Sequence, residues 1–561
     1  MGDRTITVIL SERSGSKDPF IHRYKIMKLK SYADKLIRDP ELLIFIIFVA
    51  IMSGYYIYRM LTFAPWYDEL YTYNFFISRG PVYAGIHWPV PNNHMGYSVL
   101  SGFLYVITHE PYISLRGISL LSSIGNLIML FMAGRKLMLR GFALLFPAIY
   151  AGAWLVNNIT VQGRGYALSV NMMLIALICL IHLCLDDERD DRDRGMRRYY
   201  IIWAFSLILG FYTVMTTLYW VVTICLAAFC CLMALKKYKR LIRLVIASVF
   251  GAIGTVSVYG IVWLAIGSNL LSKDEAGAYF GMYQLDVIKK APFLAAKTGA
   301  EYMLATPYIQ SVSKDGYVKA FADHWVDIIS HMYTFGIVII ILMAVSLIFA
   351  VITLISKYSY TRHNNTPKPD SDDMGDKLTV FSWLVVCFVL VSPLTVFVQT
   401  KLPYVRVFTY YAVSISLALS YLIYVLFGAL KKHFTYGISL IVCVFAFALI
   451  LSKDYNMPYG DREQALLALM KQSDLEDRIA SGDRICLTDC NQEYMYRFLY
   501  DEYPDMPNQH DADIMIVDKD MLDPDAEYHW EFYYDHSSID MDMLADMKQT
   551  VRNTYYEIYV K

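Results

Sequence analysis

Long apolar runs separated by short charged loops dominate the chain, and they predict helices that cross a membrane. The first run spans about Leu42 to Thr62. Later ones cover about Ile118 to Met132, Phe142 to Val156 and Tyr166 to Leu185, then two tightly joined helices from Ile201 to Leu235. Leu244 to Ile266, Tyr333 to Ile355, Leu378 to Phe397, Val407 to Phe427 and Tyr436 to Leu451 complete about eleven spans. Most approach the roughly 20 residues that a bilayer core requires. Tyr97 to Ile107 is too short to cross and predicts an interfacial helix lying flat.

The distribution of cations fixes the expected orientation. Arg23, Lys25, Lys28, Lys30, Lys35 and Arg38 precede the first run and belong in the cytoplasm. If Tyr97 to Ile107 lies flat, Arg135, Lys136 and Arg140 also fall inside, as do Lys236, Lys237, Lys239, Arg240, Lys431 and Lys432. The chain then divides into a cytoplasmic segment (1–41), a membrane domain (42–452) and an extracytoplasmic tail (453–561). From Asp454 the tail carries 25 Asp and Glu against 9 Lys and Arg, as suits the side that avoids positive charge. Apolar Ile485 to Leu487 and Ala512 to Val517, with a helical stretch at Gln492 to Tyr500 between them, predict a small α/β domain.

Composition agrees. Of 561 residues, 56% are hydrophobic and mean hydropathy is +0.38, above what a soluble domain carries. A net charge of −1 gives no basic patch for nucleic acid. The polar start has no leader-like cleavage pattern, so the first span is expected to be retained. Seven of nine cysteines lie in apolar runs as small hydrophobes; Cys486 and Cys490 are in the tail, where spacing does not fix their pairing.

Reactive side chains gather in the expected outer loops. Trp66-Tyr67-Asp68-Glu69 puts adjacent carboxylates among aromatics; on a helix they point about 100° apart, so one can face a cavity while the other does not. A carboxylate beside apolar walls serves as a general base. Asn93 is a helix-cap residue type and His94 a donor–acceptor at the membrane surface. Gln162, Arg164 and Tyr166 share a short loop, and Tyr212 lines another turn. Lys401, Tyr404 and Arg406 place cations beside aromatics in the last outer hairpin. Arg116 and Arg164 at span mouths read first as residues that snorkel to lipid, and second as anion ligands. Asn158-Ile-Thr160 is a formal glycosylation sequon.

Taken in order, these motifs resemble the GT-C superfamily of membrane glycosyltransferases, closest to the protein O-mannosyltransferases and lipid A aminoarabinose transferases. Asp68-Glu69 is similar to that family's acidic pair, and Asn93-His94-Met95-Gly96 stands where a His-Pro-Pro element is common. Arg116 to Leu137 resembles its second span, Arg164-Gly-Tyr166 its Arg-x-Tyr pattern, and Arg406 to Tyr411 its late Arg-Tyr element. Met95 and Gly96 replace the prolines, and Gln162 replaces an acid, which counts against a divalent metal. The resemblance implies no other cofactor. Its implied substrates are a polyprenyl-phosphate sugar and an acceptor hydroxyl on protein, lipid or glycan. Asp68 is the implied base with Glu69 as fallback; Arg164, Arg406, Lys401 and His94 are implied for the donor phosphate. Tyr67, Asn93, Gln162, Tyr166, Tyr212 and Tyr404 are expected to line the cavity, at the outer face of a plasma (inner) membrane. A lipid or sugar transporter, or a non-catalytic membrane scaffold, are the other readings. Ionisable residues at mid-membrane would mark a transporter, and few charges lie inside these spans.

Overall fold

The computed structural model describes residues 39–86, 93–186, 194–266, 309–311, 316–363, 373–452, 460–472, 475–501, 507–525, 533–534 and 536–561. The basic N-terminal segment and most of the long loop after Ile266 lie outside the described residues. The chain is a multi-pass helical membrane protein. Among the described residues, eight helices are long and apolar enough to cross a bilayer.

Helix α1 (Pro40–Thr62) is followed by short α2 (Tyr67–Thr72), a π-helical turn (Tyr73–Ile77) and α3 (Pro81–Ile86). Then come α4 (Met95–Thr108), α5 (Pro111–Leu137), α6 (Leu145–Ala151), α7 (Trp154–Ile159) and α8 (Tyr166–Leu185). Helices α9 (Arg194–Thr213), α10 (Leu218–Ala234) and α11 (Tyr238–Ile266) precede β1 (Ile309–Ser311), α12 (Tyr317–Ser330), α13 (Gly336–His363) and α14 (Asp373–Gln399). Strand β2 (Lys401–Pro403) pairs antiparallel with β1 and leads through a 3-10 turn (Val405–Phe408) into α15 (Tyr411–Phe427) and α16 (Lys432–Ile450).

The two helices around the site start on the same local signal, an acid followed by proline. Asp39 accepts from Leu42 N–H before Pro40, and Glu110 accepts from Ile113 N–H before Pro111. The acid caps an otherwise unsatisfied amide and the proline loses nothing at the first helical position. Helix α8 is the most enclosed span, 72% buried over its apolar window, whereas α11 and α13 are only 17% and 22% buried there. The exposed Ile, Leu, Val and Phe side chains on those two helices therefore face lipid rather than core.

Two expectations change. Phe142 to Val156 does not form one span. Pro147 lies in the first turns of α6, that helix stops at Gly152, and α7 starts afresh at Trp154. The break is held by Trp154 and Leu155 N–H groups donating to the carbonyls of Met332 and His331. Asn158 is buried, and its side-chain oxygen accepts from Arg59 at 3.1 Å, so the sequon is a packing contact and not an exposed acceptor. Helix α4 has 14 residues, about 21 Å at the usual rise and short of the ~30 Å core.

The tail folds as α17 (Asp461–Gln472), α18 (Leu475–Ala480), β3 (Ile485–Leu487), α19 (Cys490–Tyr500), β4 (Ile514–Asp518), α20 (Met541–Asp546), β5 (Lys548–Arg552) and β6 (Tyr556–Val560). The sheet order is β3-β4-β6-β5, with β3 parallel to β4 and the other pairs antiparallel. Every residue of β4 is buried, while edge strand β5 is mostly exposed and carries Lys548 and Arg552, charges that discourage edge pairing. Cys486 and Cys490 are both buried and not bonded to each other.

Candidate functional site

The site assembles at one end of the helix bundle, where α1 gives way to α2. Pro65 favours extended backbone just before it, and the chain turns through Ala64, Pro65 and Trp66. Helix α2 then begins with both acids in its first turn, where the helix dipole favours negative charge. The two acids part there. Glu69 is fully buried and Asp68 is 20% exposed at its side chain.

Glu69 is enclosed by donors. Its Oε1 accepts from Arg116 Nε at 2.8 Å and from Gly163 N–H; its Oε2 accepts from Arg116 Nη2 at 2.9 Å and Trp66 N–H at 3.0 Å. Arg116 also donates to the carbonyls of Met60, Phe63 and Ala64. This buried pair ties the end of α1, the start of α2, the start of α5 and the loop before α8 into one unit. The expectation that Arg116 snorkels to lipid is corrected: its side chain is 0% exposed and points into protein. Glu69, the fallback base of the sequence expectation, has two hydrogen bonds on each oxygen and a fully buried side chain, a setting that suits a structural role.

Asp68 faces the other way. Its Oδ2 lies 3.3 Å from Nη1 of Arg406, from the 3-10 turn before α15, across 338 positions of sequence. The Arg406 guanidinium also stands over the rings of Trp66 (5.5 Å) and exposed Tyr404 (5.3 Å). Aromatic faces hold a cation without neutralising it. A partly exposed carboxylate and a partly exposed guanidinium thus lie side by side.

Arg164 lies beside the Asp68 backbone and is 4% exposed. Nη1 donates to Thr72 Oγ1 at 2.8 Å and reaches the Asp68 carbonyl at 3.4 Å; Nη2 lies 3.3 Å from His94 Nε2. His94 Nδ1 accepts from Gly165 N–H at 2.8 Å. Burial pushes the His94 pKa well below 6.5, and the Arg164 and Arg406 charges push it the same way. Both effects favour the neutral ring over the imidazolium that a cationic role at a phosphate would need.

Several residues expected to line a cavity are buried or half-buried nearby. Asn93 does not cap α4; it donates to the Ala84 carbonyl and accepts from Ser98, joining α3 to α4. Gln162 is buried, with its carbonyl accepting from Ser119, and Tyr166 packs edge-on against His94 at 5.0 Å. Tyr212 packs against Gly85, Gly96 and the Tyr259 ring, one layer away. Tyr67 is half-buried beside Tyr494 of the tail. Lys401 pairs through its backbone with Ser311, and its side chain lies outside the described residues.

The sequence reading missed the contribution of the tail. Tyr494, Phe498 and Asp501 of α19 and its end pack on the π-helical turn and α4. Asn74 donates to the Tyr494 carbonyl, Asp501 accepts from Tyr73 and Tyr105, and Phe498 meets the rings of Tyr73 and Tyr112. Helix α17 reaches the chain entering α2, where Gln464 accepts from Ala64 N–H and Glu463 from Tyr67 N–H. No local sequence signal marks contacts between positions about 400 apart.

The fold is one that a solved membrane protein shares. ArnT from Cupriavidus metallidurans, solved with undecaprenyl phosphate, superposes over 92% of this chain and 97% of its own, with a TM-score of 0.51 and 11% identity. The Archaeoglobus fulgidus oligosaccharyltransferase, in a complex with Zn and sulfate, aligns over 84% of this chain and 68% of its own (TM-score 0.46, 10% identity). The same organism's AglB, with an inhibitory peptide and a dolichol-phosphate, aligns over 85% and 65% (TM-score 0.46, 11% identity), so this chain spans about two thirds of that protein's length. The sequence matches no protein-family model and no curated protein.

Proposed function

We propose that the protein transfers a sugar from a polyprenyl-phosphate donor to an acceptor hydroxyl, with inversion, at the outer face of a plasma membrane. The observation that carries this reading is the Asp68–Arg406 pair, a partly exposed carboxylate and a partly exposed guanidinium side by side in a fold similar to that of ArnT. In the unliganded protein each holds the other. A donor phosphate competes for Arg406, whose planar fork matches phosphate oxygens, and leaves Asp68 available to the acceptor.

Asp68 takes the acceptor proton as the acceptor oxygen bonds to the anomeric carbon. The bond from that carbon to the phosphate oxygen breaks on the opposite side, and polyprenyl phosphate departs with the electron pair. The transition state carries oxocarbenium character, as in glycoside hydrolysis. Arg406 meets the charge growing on the leaving phosphate, and Arg164 adds to the positive field from behind. Lys401, five residues before Arg406, belongs to the same cation set in this reading. Glu69 and Arg116 hold the loop, and His94 packs beside Arg164. Membrane lipid and the isoprenoid share the groove between spans; the acceptor is a protein, lipid or glycan hydroxyl.

The test is transfer from radiolabelled polyprenyl-phosphate sugars by purified protein in lipid, with cell extract supplying the acceptor, wild type beside Asp68→Asn. Asparagine keeps the shape and cannot take the proton, and loss of a general base costs about 10²–10⁴-fold. Equal rates in the two proteins would remove Asp68 as the base.

A further inference from the structure

The acidic tail reaches the backbone that carries Asp68. Three amides of the entering chain are held by side-chain oxygens: Ala64 by Gln464 at 3.0 Å, Trp66 by Glu69 at 3.0 Å and Tyr67 by Glu463 at 3.2 Å. Two of those three oxygens come from the first turn of α17, in the tail. Tyr67 is the first residue of α2, and its amide has no acceptor within so short a helix. Glu463 therefore caps α2 from another domain, one residue before Asp68.

Glu463 is 2% exposed, so this is a built contact and not a surface one. Gly460 makes room for it. A Cβ at Gly460 would overlap the Glu463 carboxylate and touch Trp66, the ring on which Arg406 rests. One small turn of the tail thus presses on both halves of the site, the Asp68 helix through Tyr67 and the Arg406 cation through Trp66. Burial raises the Glu463 pKa, while the amide of Tyr67 and its own amide lower it. Either protonation state keeps an oxygen able to accept from Tyr67.

We propose that Glu463 is a positioning residue for Asp68, so that turnover requires the tail to be docked on α2. The kinetic half of this inference rests on the glycosyltransferase reading; the structural half does not. A few tenths of an ångström to 1 Å at Asp68 is enough to matter, since a misplacement of about 1 Å costs about 10²-fold in rate.

The experiment uses the full-length protein in lipid, comparing wild type, Glu463→Gln, Glu463→Ala and Gly460→Ala. Initial rates are read against the concentration of a radiolabelled polyprenyl-phosphate sugar, and amide hydrogen exchange against time. Glu463→Gln, which keeps an accepting oxygen, should hold near the wild-type rate. Glu463→Ala should lower kcat by about 10–100-fold with donor KM unchanged, because Arg406 and Tyr404 are untouched. Gly460→Ala should fall between the two. Amides of residues 64–77 should exchange faster in Glu463→Ala and not in Glu463→Gln, with α5 and α8 unchanged. Wild-type exchange over 64–77 in Glu463→Ala would overturn the inference, as would a Glu463→Gln protein as slow as Glu463→Ala. A Glu463→Ala effect confined to KM would also overturn it. If the wild type transfers no sugar, the glycosyltransferase reading fails, and the exchange comparison alone decides whether Glu463 orders this segment.

Discussion

Arg116 donates to both carboxylate oxygens of Glu69 and to three carbonyls at the end of α1, and neither charged side chain is exposed to solvent. The side chain of Asp68, one residue away, meets Arg406 at 3.3 Å and is 20% exposed. Neighbouring acids in the same helical turn thus sit in different surroundings, one sealed in the interior and one partly open to solvent.

Their substitutions should therefore separate. Glu69→Ala leaves a buried guanidinium without its carboxylate, and breaking such a pair costs about 3–5 kcal/mol. The expected outcome is low yield and a clearly lowered unfolding temperature in detergent. Asp68→Asn should unfold within a degree or two of wild type. Thermal melts of the two purified variants, side by side, check this, and equal melting temperatures would dissolve the distinction.

Arg406→Ala addresses the cation. Its contact with Asp68 is partly solvated, a setting in which ion pairs contribute about 0–1 kcal/mol, so stability should barely change. A charged hydrogen bond to a donor phosphate is worth about 1.5–3 kcal/mol, so donor affinity should fall by about 10–150-fold. Binding of a labelled polyprenyl phosphate to the variant reads this directly. Unchanged affinity would remove Arg406 from the phosphate site and leave it as a partner of Asp68 alone.

The tail carries a pH dependence of its own. Asp489 caps α19, with one oxygen on Gln492 N–H and the other without a hydrogen-bond partner among the described residues, and it is fully buried. Burial raises its pKa from 3.8 to about 7, against the pull of the Gln492 amide and with a push from Asp518. Raised in the fold, the group holds its proton more tightly folded than unfolded. Its contribution is thus intact below about pH 4 and is lost as pH rises toward 7, with a slope of at most about 1.4 kcal/mol per pH unit. Asp489→Asn keeps the cap and removes the titration. The variant should be more stable than wild type at pH 8 and no more stable at pH 4, as read by hydrogen exchange of β4 amides.

The parts legible in sequence were those written in local periodicity and charge. The spans at Pro40–Thr62 and Tyr166–Leu185 follow from uninterrupted apolar runs, and the short helix Met95–Thr108 from a run too brief to cross. The likeness of Asp68 and Arg406 to family motifs was also visible, although nothing local says they lie 3.3 Å apart. What was hidden depends on distant partners. Glu69 looks like Asp68 until Arg116, 47 positions on, is seen to fill its coordination. His94 reads as a cation until burial and two guanidiniums are counted. The broken stretch from Leu145 to Ile159 did have a local sign in Pro147 and Gly152, but its overall apolarity reads as a span. The strands Lys548–Arg552 and Tyr556–Val560 lie outside the sequence expectation: polar residues interrupt the first, and the second is only five residues long.

Gly163 provides a test of how tightly the loop before α8 must close on the site. Its N–H donates to Glu69, and a Cβ there would overlap the Leu115 side chain and press on Glu69 Oε1 at 3.2 Å. Leu115 is fully buried, so it has little room to retreat. Overpacking in a filled interior costs about 1–3 kcal/mol. Part of the strain should be relieved by moving the loop, which carries Arg164 and the Gly165 amide that binds His94. Gly163→Ala should thus lower kcat severalfold or more, with a smaller loss of thermal stability than Glu69→Ala. A Leu115→Ala, Gly163→Ala double variant removes the side chain that the new methyl strikes, and it should recover part of the rate lost in Gly163→Ala. If the double variant is no faster than Gly163→Ala, the strain does not pass through Leu115, and contact with Glu69 becomes the cause to test next.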